Sequence, residues 1–164
     1  KEFGGIDILV NNAGIFEGGE ELAAYAKTVN VNVLSVVSGT LAAVKHMKEG
    51  GRVINISSGL GERAIMAGLT AYNMSKFAVN GLTRSWAHDY APRGITVNAV
   101  LPGPIDTDMN PNDGGDQSQY MTSITPLKRY GKTADIAAAV SFLAGEEAGY
   151  ITGETLRVDG GINA

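Results

Sequence analysis

Tyr72 and Lys76, in the stretch TAYNMSKFAVNG (70–81), stand four positions apart where helical periodicity begins. On a helix, side chains at i and i+4 lie on one face, so a phenol and an ammonium share one small volume. A cation beside a phenol favours the phenolate and lowers the tyrosine pKa, which suits Tyr72 to trade a proton with a substrate near neutral pH. The spacing alone is weak evidence: a Tyr-x-x-x-Lys arises by chance in roughly one chain in four of this composition. Its weight depends on what the rest of the chain brings to it.

The chain can bury a core. Its 164 residues are 44% hydrophobic and 18% charged, a globular balance that argues against disorder. A net charge of -4 with a pI near 5.1 argues against a general nucleic-acid or anionic-membrane surface. Cysteine is absent, which removes disulfides and thiolate metal sites. His46 and His88 lack metal-ligand spacing and read as surface or core-edge residues, so no metal site is expected. With no secretory h-region and no long apolar run, a cytoplasmic location is the default expectation.

The elements that must position the pair follow from apolar runs and their punctuation. IDILVNNAG (6–14) reads as a strand buried on both faces and running into a loop. From about Leu22 to Met47, apolar residues recur every three or four positions, predicting one helix stopped by Gly50-Gly51. RVINISS (52–58) is a second strand entering a Ser-Gly loop, and a second long helix is expected from about Ala71 to Tyr90, ended by Pro92 and Gly94. GITVNAVLPGP (94–104) is a third strand, broken by Pro102 and Gly103. The polar segment 106–125 is too long for an ordinary connection and reads as a lid or substrate loop. A helix (133–145) and a last strand (155–161) complete the chain.

This alternation predicts a single α/β domain, a doubly wound parallel sheet of about four strands, with ligands outside the carboxyl ends of the strands. Residues 11–14, 57–59 and 102–107 all fall just past strand ends. Three loops should therefore converge on one crevice, and Tyr72 with Lys76 joins them from the helix after the second strand.

Together these motifs resemble the short-chain dehydrogenase/reductase family. The resemblance runs through NNAG (11–14), VNV (31–33), NISS (55–58), YNMSK (72–76), PGPIDT (102–107) and ITGETLRVDGG (151–161), closest to 3-oxoacyl-carrier-protein-reductase-like members. It implies a Rossmann-like fold and an NAD(P)-dependent oxidoreductase, with NADP slightly favoured. Tyr72 would be the general acid in carbonyl reduction, and Lys76 would lower its pKa and hydrogen-bond the nicotinamide ribose. Ser58 would hydrogen-bond the reacting carbonyl, with Ser57 its rival. Asn32 would hold a water linking Lys76 to solvent, with Asn30 the competing choice. Pro102, Gly103, Ile105 and Thr107 would pass beside the nicotinamide, and Asn12, Ala13 and Gly14 would lie under the adenosine side. The substrate would be a small carbonyl or alcohol, and a homo-oligomer, dimer or tetramer, is expected.

Two departures stand out. Fourteen positions separate Ser58 from Tyr72, one more than the commonest family spacing, and GLGERAIMAG (59–68) is where the pocket would be reshaped. The family's opening strand and Thr-Gly-x-x-x-Gly-x-Gly turn have no counterpart among these residues. The expectation is therefore a remainder of a longer polypeptide, inactive alone, with its strand at Ile6–Asn11 left as an exposed edge. A different function class also has support. PGPIDTDMNPNDG (102–114) with GER (61–63) resembles family members proposed to bind a cyclic dinucleotide, for which Arg63 could pair a phosphate.

Overall fold

The computed structural model describes residues 4–164. Four parallel strands, β1 (Ile6–Asn11), β2 (Met47–Ile56), β3 (Thr96–Pro102) and β4 (Thr155–Val158), pair in sequence order. Parallel neighbours need crossovers, and the chain supplies helices for them. Between β1 and β2 run α1 (Leu22–Val29), a π-helical turn (Asn30–Leu34) and α2 (Ser35–Ala43). α3 (Thr70–Tyr90) joins β2 to β3, and α4 (Asp116–Ile124) and α5 (Thr133–Ala144) join β3 to β4.

Successive strand residues face opposite sides, so one apolar strand serves two cores. Val53 and Val97 pack with Val36, Val79 and Trp86 beneath α2 and α3. Ile54 and Val100 turn the other way, onto Leu143 at the end of α5 and Ala148 in the turn after it. These two clusters hold the carboxyl ends of β2 and β3 rigidly, which fixes the loops that leave them.

Three expectations change. The helix predicted over 22–47 is interrupted by the π turn and ends at Ala43, while Gly50 and Gly51 lie inside β2. Parallel pairing of Ile6 with Met47 captures the end of the periodic stretch as strand, and Arg93 donates to the Val44 and Met47 carbonyls there. β1 is not buried on both faces, with Ile8 47% and Val10 41% exposed, and it stands at the sheet edge as expected from the missing opening strand. The 106–125 segment is not all loop, because Asp116–Ile124 forms α4, its first turn fastened where Ser118 donates to Asp113.

Candidate active site at the carboxyl ends of the strands

α3 delivers Tyr72 and Lys76 on its first two turns, on the face toward β2. Lys76 is only 6% exposed, its Nζ donating to the Ile56 carbonyl at 3.0 Å, the last residue of β2. The ammonium lies 5.5 Å from the centroid of the Tyr72 ring. Burial lowers the Lys76 pKa to about 8, because a desolvated ammonium loses its hydration.

The phenol behaves differently from the expectation. Burial pushes the Tyr72 pKa above its ordinary value, and the Ser58 hydroxyl pulls it part of the way back. Desolvation of the phenolate outweighs the hydrogen bond that favours it. Tyr72 therefore stands as a neutral proton donor at neutral pH.

Ser58 has an extended backbone, and its Oγ accepts from Leu60 N at 3.1 Å, capping the turn Gly59–Gly61. The rival Ser57 is engaged elsewhere, its hydroxyl donating to the Lys76 carbonyl at 3.2 Å. The turn after Ser58 lies hard against α3: a methyl on Gly61 would sit 2.9 Å from the Lys76 carbonyl. Glu62 ties the same loop to the far side of the sheet, accepting from Thr155 Oγ1 at 2.8 Å and lying 3.4 Å from Arg157 Nε.

Asn32 sits in the π turn and is 1% exposed, whereas Asn30 is exposed. The wider turn changes which side chain faces inward, a common device at functional positions. Asn32 Oδ1 accepts from Ile15 N at 2.8 Å, and Nδ2 donates to Ile15 O at 2.9 Å and to Ser75 Oγ at 3.1 Å. Ser75 Oγ in turn donates to the Tyr72 carbonyl at 2.7 Å. Both amide protons are thus committed to fastening the Gly14–Ile15 loop onto α3.

Two cavities meet at Tyr72. The larger, about 670 Å³, is lined by Asn12, Ala13, Gly14, Ser58, Tyr72, Lys76, Pro102, Gly103, Ile105 and Thr107, so ten of the residues singled out from sequence surround one space. Asn32 stands behind its wall. The smaller cavity, about 140 Å³, shares Ser58, Tyr72, Pro102 and Gly103 and opens toward the loop after Ser58 and toward α4. His46, His88 and Arg63 are exposed and line neither.

Several lining residues escaped the sequence reading. Phe16 packs on Tyr72 with ring centroids 5.0 Å apart and planes inclined by 59°. An aromatic two positions after the NNAG loop was the available signal. Thr133, Ile136 and Val140 of α5 line the larger cavity, and Ile162 and Asn163 reach the smaller one from the C-terminal turn. Periodicity marked the α5 residues as apolar, but only packing shows which face they cover.

Comparison with known proteins agrees with this geometry. Residues 1–163 match the family described as Enoyl-(Acyl carrier protein) reductase. A short-chain dehydrogenase of Burkholderia cenocepacia, solved in complex with NADP, superposes with a TM-score of 0.96 at 47% identity, over 99% of this chain and 68% of that one. The chain belongs to the short-chain dehydrogenase/reductase family. Among curated members, the cyclic-di-GMP-binding biofilm dispersal mediator protein of Escherichia coli is 40% identical over 168 residues, covering 100% of this chain and 70% of that protein. The 3-oxoacyl-(acyl-carrier-protein) reductase of Vibrio cholerae is 41% identical over 167 residues, covering 98% of this chain and 68% of that protein. No helix among the described residues is long and apolar enough to cross a membrane.

Proposed function

We propose that this protein interconverts a ketone and a secondary alcohol with NAD or NADP, in the manner of a 3-oxoacyl reductase, with Tyr72 as the general acid and base. The observation that carries this reading is the placement of Tyr72 between two cavities, with Ser58 beside its phenol and Lys76 beneath its ring.

The residues of the larger cavity fit the nicotinamide half of a dinucleotide. A methyl on Gly14 would lie 3.4 Å from Asn32 Oδ1 and 3.7 Å from Lys76 Nζ, so glycine keeps room before the ammonium for a ribose hydroxyl. The strand-end turn Pro102–Thr107 offers backbone groups to a carboxamide. NADP is favoured by the family resemblance and by the Burkholderia structure. When bound, the nicotinamide supplies the hydride for reduction and takes it back in oxidation.

The chain's own residues would do the rest. Ser58 Oγ donates to the carbonyl oxygen and polarises it, and Tyr72 Oη gives that oxygen a proton as the carbon gains hydride. The raised pKa of Tyr72 keeps the proton available at neutral pH. Lys76 holds the ribose and, while protonated, favours the phenolate left behind. Asn32 fixes the Gly14–Ile15 loop through its side-chain amide, and a water linking Lys76 to solvent would be held by its oxygen acceptors, the backbone carbonyl or the second Oδ1 lone pair. The test is ketone-dependent NADPH oxidation. For a polypeptide that carries these residues together with a pyrophosphate-binding turn, turnover and its near-complete loss in the Tyr72→Phe variant are expected; substantial rate in the variant would sink the assignment.

A second reading rests on the E. coli relative: a non-catalytic cyclic-dinucleotide binder on the same scaffold. Arg63 offers an exposed guanidinium away from both cavities, so a phosphate there would be held at the surface. Calorimetry with cyclic-di-GMP decides, because absence of heat above background removes this reading. We also propose a homo-oligomer, supported by the exposed Met74 and Phe77 on α3 and Leu34 and Leu41 at α2; a monomeric sedimentation coefficient would count against it.

A further inference from the structure

On the reductase reading Ser58 must aim its hydroxyl at a carbonyl oxygen, yet it stands at the start of a short turn in an otherwise exposed loop. Ser58 Oγ accepts from Leu60 N at 3.1 Å, which uses one acceptor position and leaves the hydroxyl proton free to donate. Where that proton points therefore depends on where the Gly59–Gly61 turn is held. The turn is gripped at three points. Gly61 lies against the Lys76 carbonyl of α3, Gly59 lies so close to the Asn163 amide that no Cβ would fit, and Glu62 reaches across to β4.

The third grip is made of charges. Thr155 and Arg157, two apart on β4, point to one face of the sheet. There Thr155 Oγ1 donates to Glu62 Oε1 at 2.8 Å, and Arg157 Nε lies 3.4 Å from Glu62 Oε2. Arg84 of α3 adds a third partner, 3.9 Å from Oε1 and donating to Thr155 Oγ1 at 3.3 Å. One half-exposed ion pair would hold little, but this carboxylate meets donors from two elements at once. Arg157 also donates through Nη1 to the Asn163 carbonyl at 2.6 Å, so a single guanidinium joins the Glu62 grip to the Asn163 grip. Asn163 is fixed in turn by Asp159, which accepts from its backbone N–H at 3.2 Å and its side-chain amide at 3.0 Å. Past Glu62 the loop runs mostly exposed as far as Gly68.

Resting on the reductase reading, we infer that Glu62 and Arg157 are positioning residues, which together hold the Gly59–Gly61 turn so that Leu60 N keeps the Ser58 hydroxyl aimed at the carbonyl oxygen. Neither lines either cavity at Tyr72, so both act through the turn. A bond to the carbonyl oxygen strengthens as that oxygen gains charge, so a displaced Ser58 costs rate more than it costs binding.

The test uses a polypeptide that carries these residues together with a pyrophosphate-binding turn. Amide exchange at Leu60, and kcat and KM for ketone reduction with NADPH, are measured in Glu62→Ala, Glu62→Gln, Arg157→Met and the Ala/Met double variant. Glu62→Ala should quicken Leu60 exchange and lower kcat by about ten-fold, with KM within about three-fold of the wild type. Glu62→Gln still accepts from Thr155 and should recover part of both losses. Arg157→Met should follow Glu62→Ala, and the double variant should be little worse than either, because the two side chains act through one contact. Unchanged Leu60 exchange, quickened exchange with unchanged kcat, a loss confined to KM, or additive losses in the double variant each overturn the inference. The reductase reading fails separately: with no ketone turned over by the wild-type polypeptide, quickened Leu60 exchange in Glu62→Ala still supports the grip on Ser58, and unchanged exchange removes it.

Discussion

The two cavities that meet at Tyr72 are built from different kinds of chain. The larger is walled mainly by loops leaving β1, β2 and β3, whose ends are held by two buried clusters and by the Asn32 clamp. The smaller is walled by the 59–69 loop, fastened to α3 and β4 only at its start, and by α4 and the C-terminal turn. The contrast separates chemistry from choice. Groups that must keep a fixed distance sit on rigid strand ends, and groups that only need to exclude water sit on segments free to vary.

Tyr72→Phe should break the site where the cavities join. It removes one hydroxyl and no packing, so turnover should fall by about 10²- to 10⁴-fold while ketone binding stays within a few-fold. A parallel loss of binding, seen by titration, would mean the hydroxyl shapes the site instead of acting on the substrate.

Lys76 probes the rigid cavity by its protonation. Its pKa falls from 10.5 unfolded to about 8 folded, so below pH 8 both states hold the proton and folding bears the full cost of the buried charge. Between pH 8 and 10.5 the unfolded chain binds more protons than the folded one, so stability rises with pH, by about 3 kcal/mol over the whole window. Tyr72, Tyr90 and Tyr130, with their raised pKa values, add the opposite slope as pH nears their ordinary value of 10, so denaturation curves between pH 7 and 9 report mainly on Lys76. Lys76→Met should flatten this rise; an equal slope in the variant would show that another group titrates.

Asn32→Ala should cost about 2 kcal/mol by leaving Ile15 N and O without their partner. Amide exchange at Ile15 should quicken with it, and unchanged protection would deny that Asn32 clamps the loop. Gly61→Ala should destabilise by about 1 kcal/mol, since the new methyl meets backbone and not a movable side chain. A neutral result in thermal melts would show that the turn can move off α3. The smallest effect is expected in the variable wall: Met66→Ala should leave stability nearly unchanged and shift relative ketone preference by only a few-fold. Selectivity assays that show no shift would place the substrate elsewhere.

The larger cavity was far more legible than the smaller. Asn12 to Gly14, Ser58, Tyr72, Lys76 and Pro102 to Thr107 follow from one rule, that ligands in an open α/β sheet sit past the carboxyl ends of strands. Ser58 was preferred to Ser57 on the resemblance, and the structure adds the hydrogen bond from Ser57 to the Lys76 carbonyl, which no spacing reveals. Phe16 was missed because its contact with Tyr72 spans 56 residues of chain. The helix of 22–47 was overextended for a related reason: apolar periodicity continues to Met47, and only pairing with Ile6 makes that residue a strand.

Local patterns therefore determined the order of elements, the parallel sheet and the residues able to carry a proton, because apolar period and turn chemistry act over a few residues. Tertiary structure alone decided how those residues are tuned. The Tyr72 pKa rises where the spacing to Lys76 predicts a fall, because desolvation depends on everything packed around the phenol. The π turn at Asn32 and the uncharged cavity beside Tyr72 are of the same kind, being set by contacts between segments far apart in the chain.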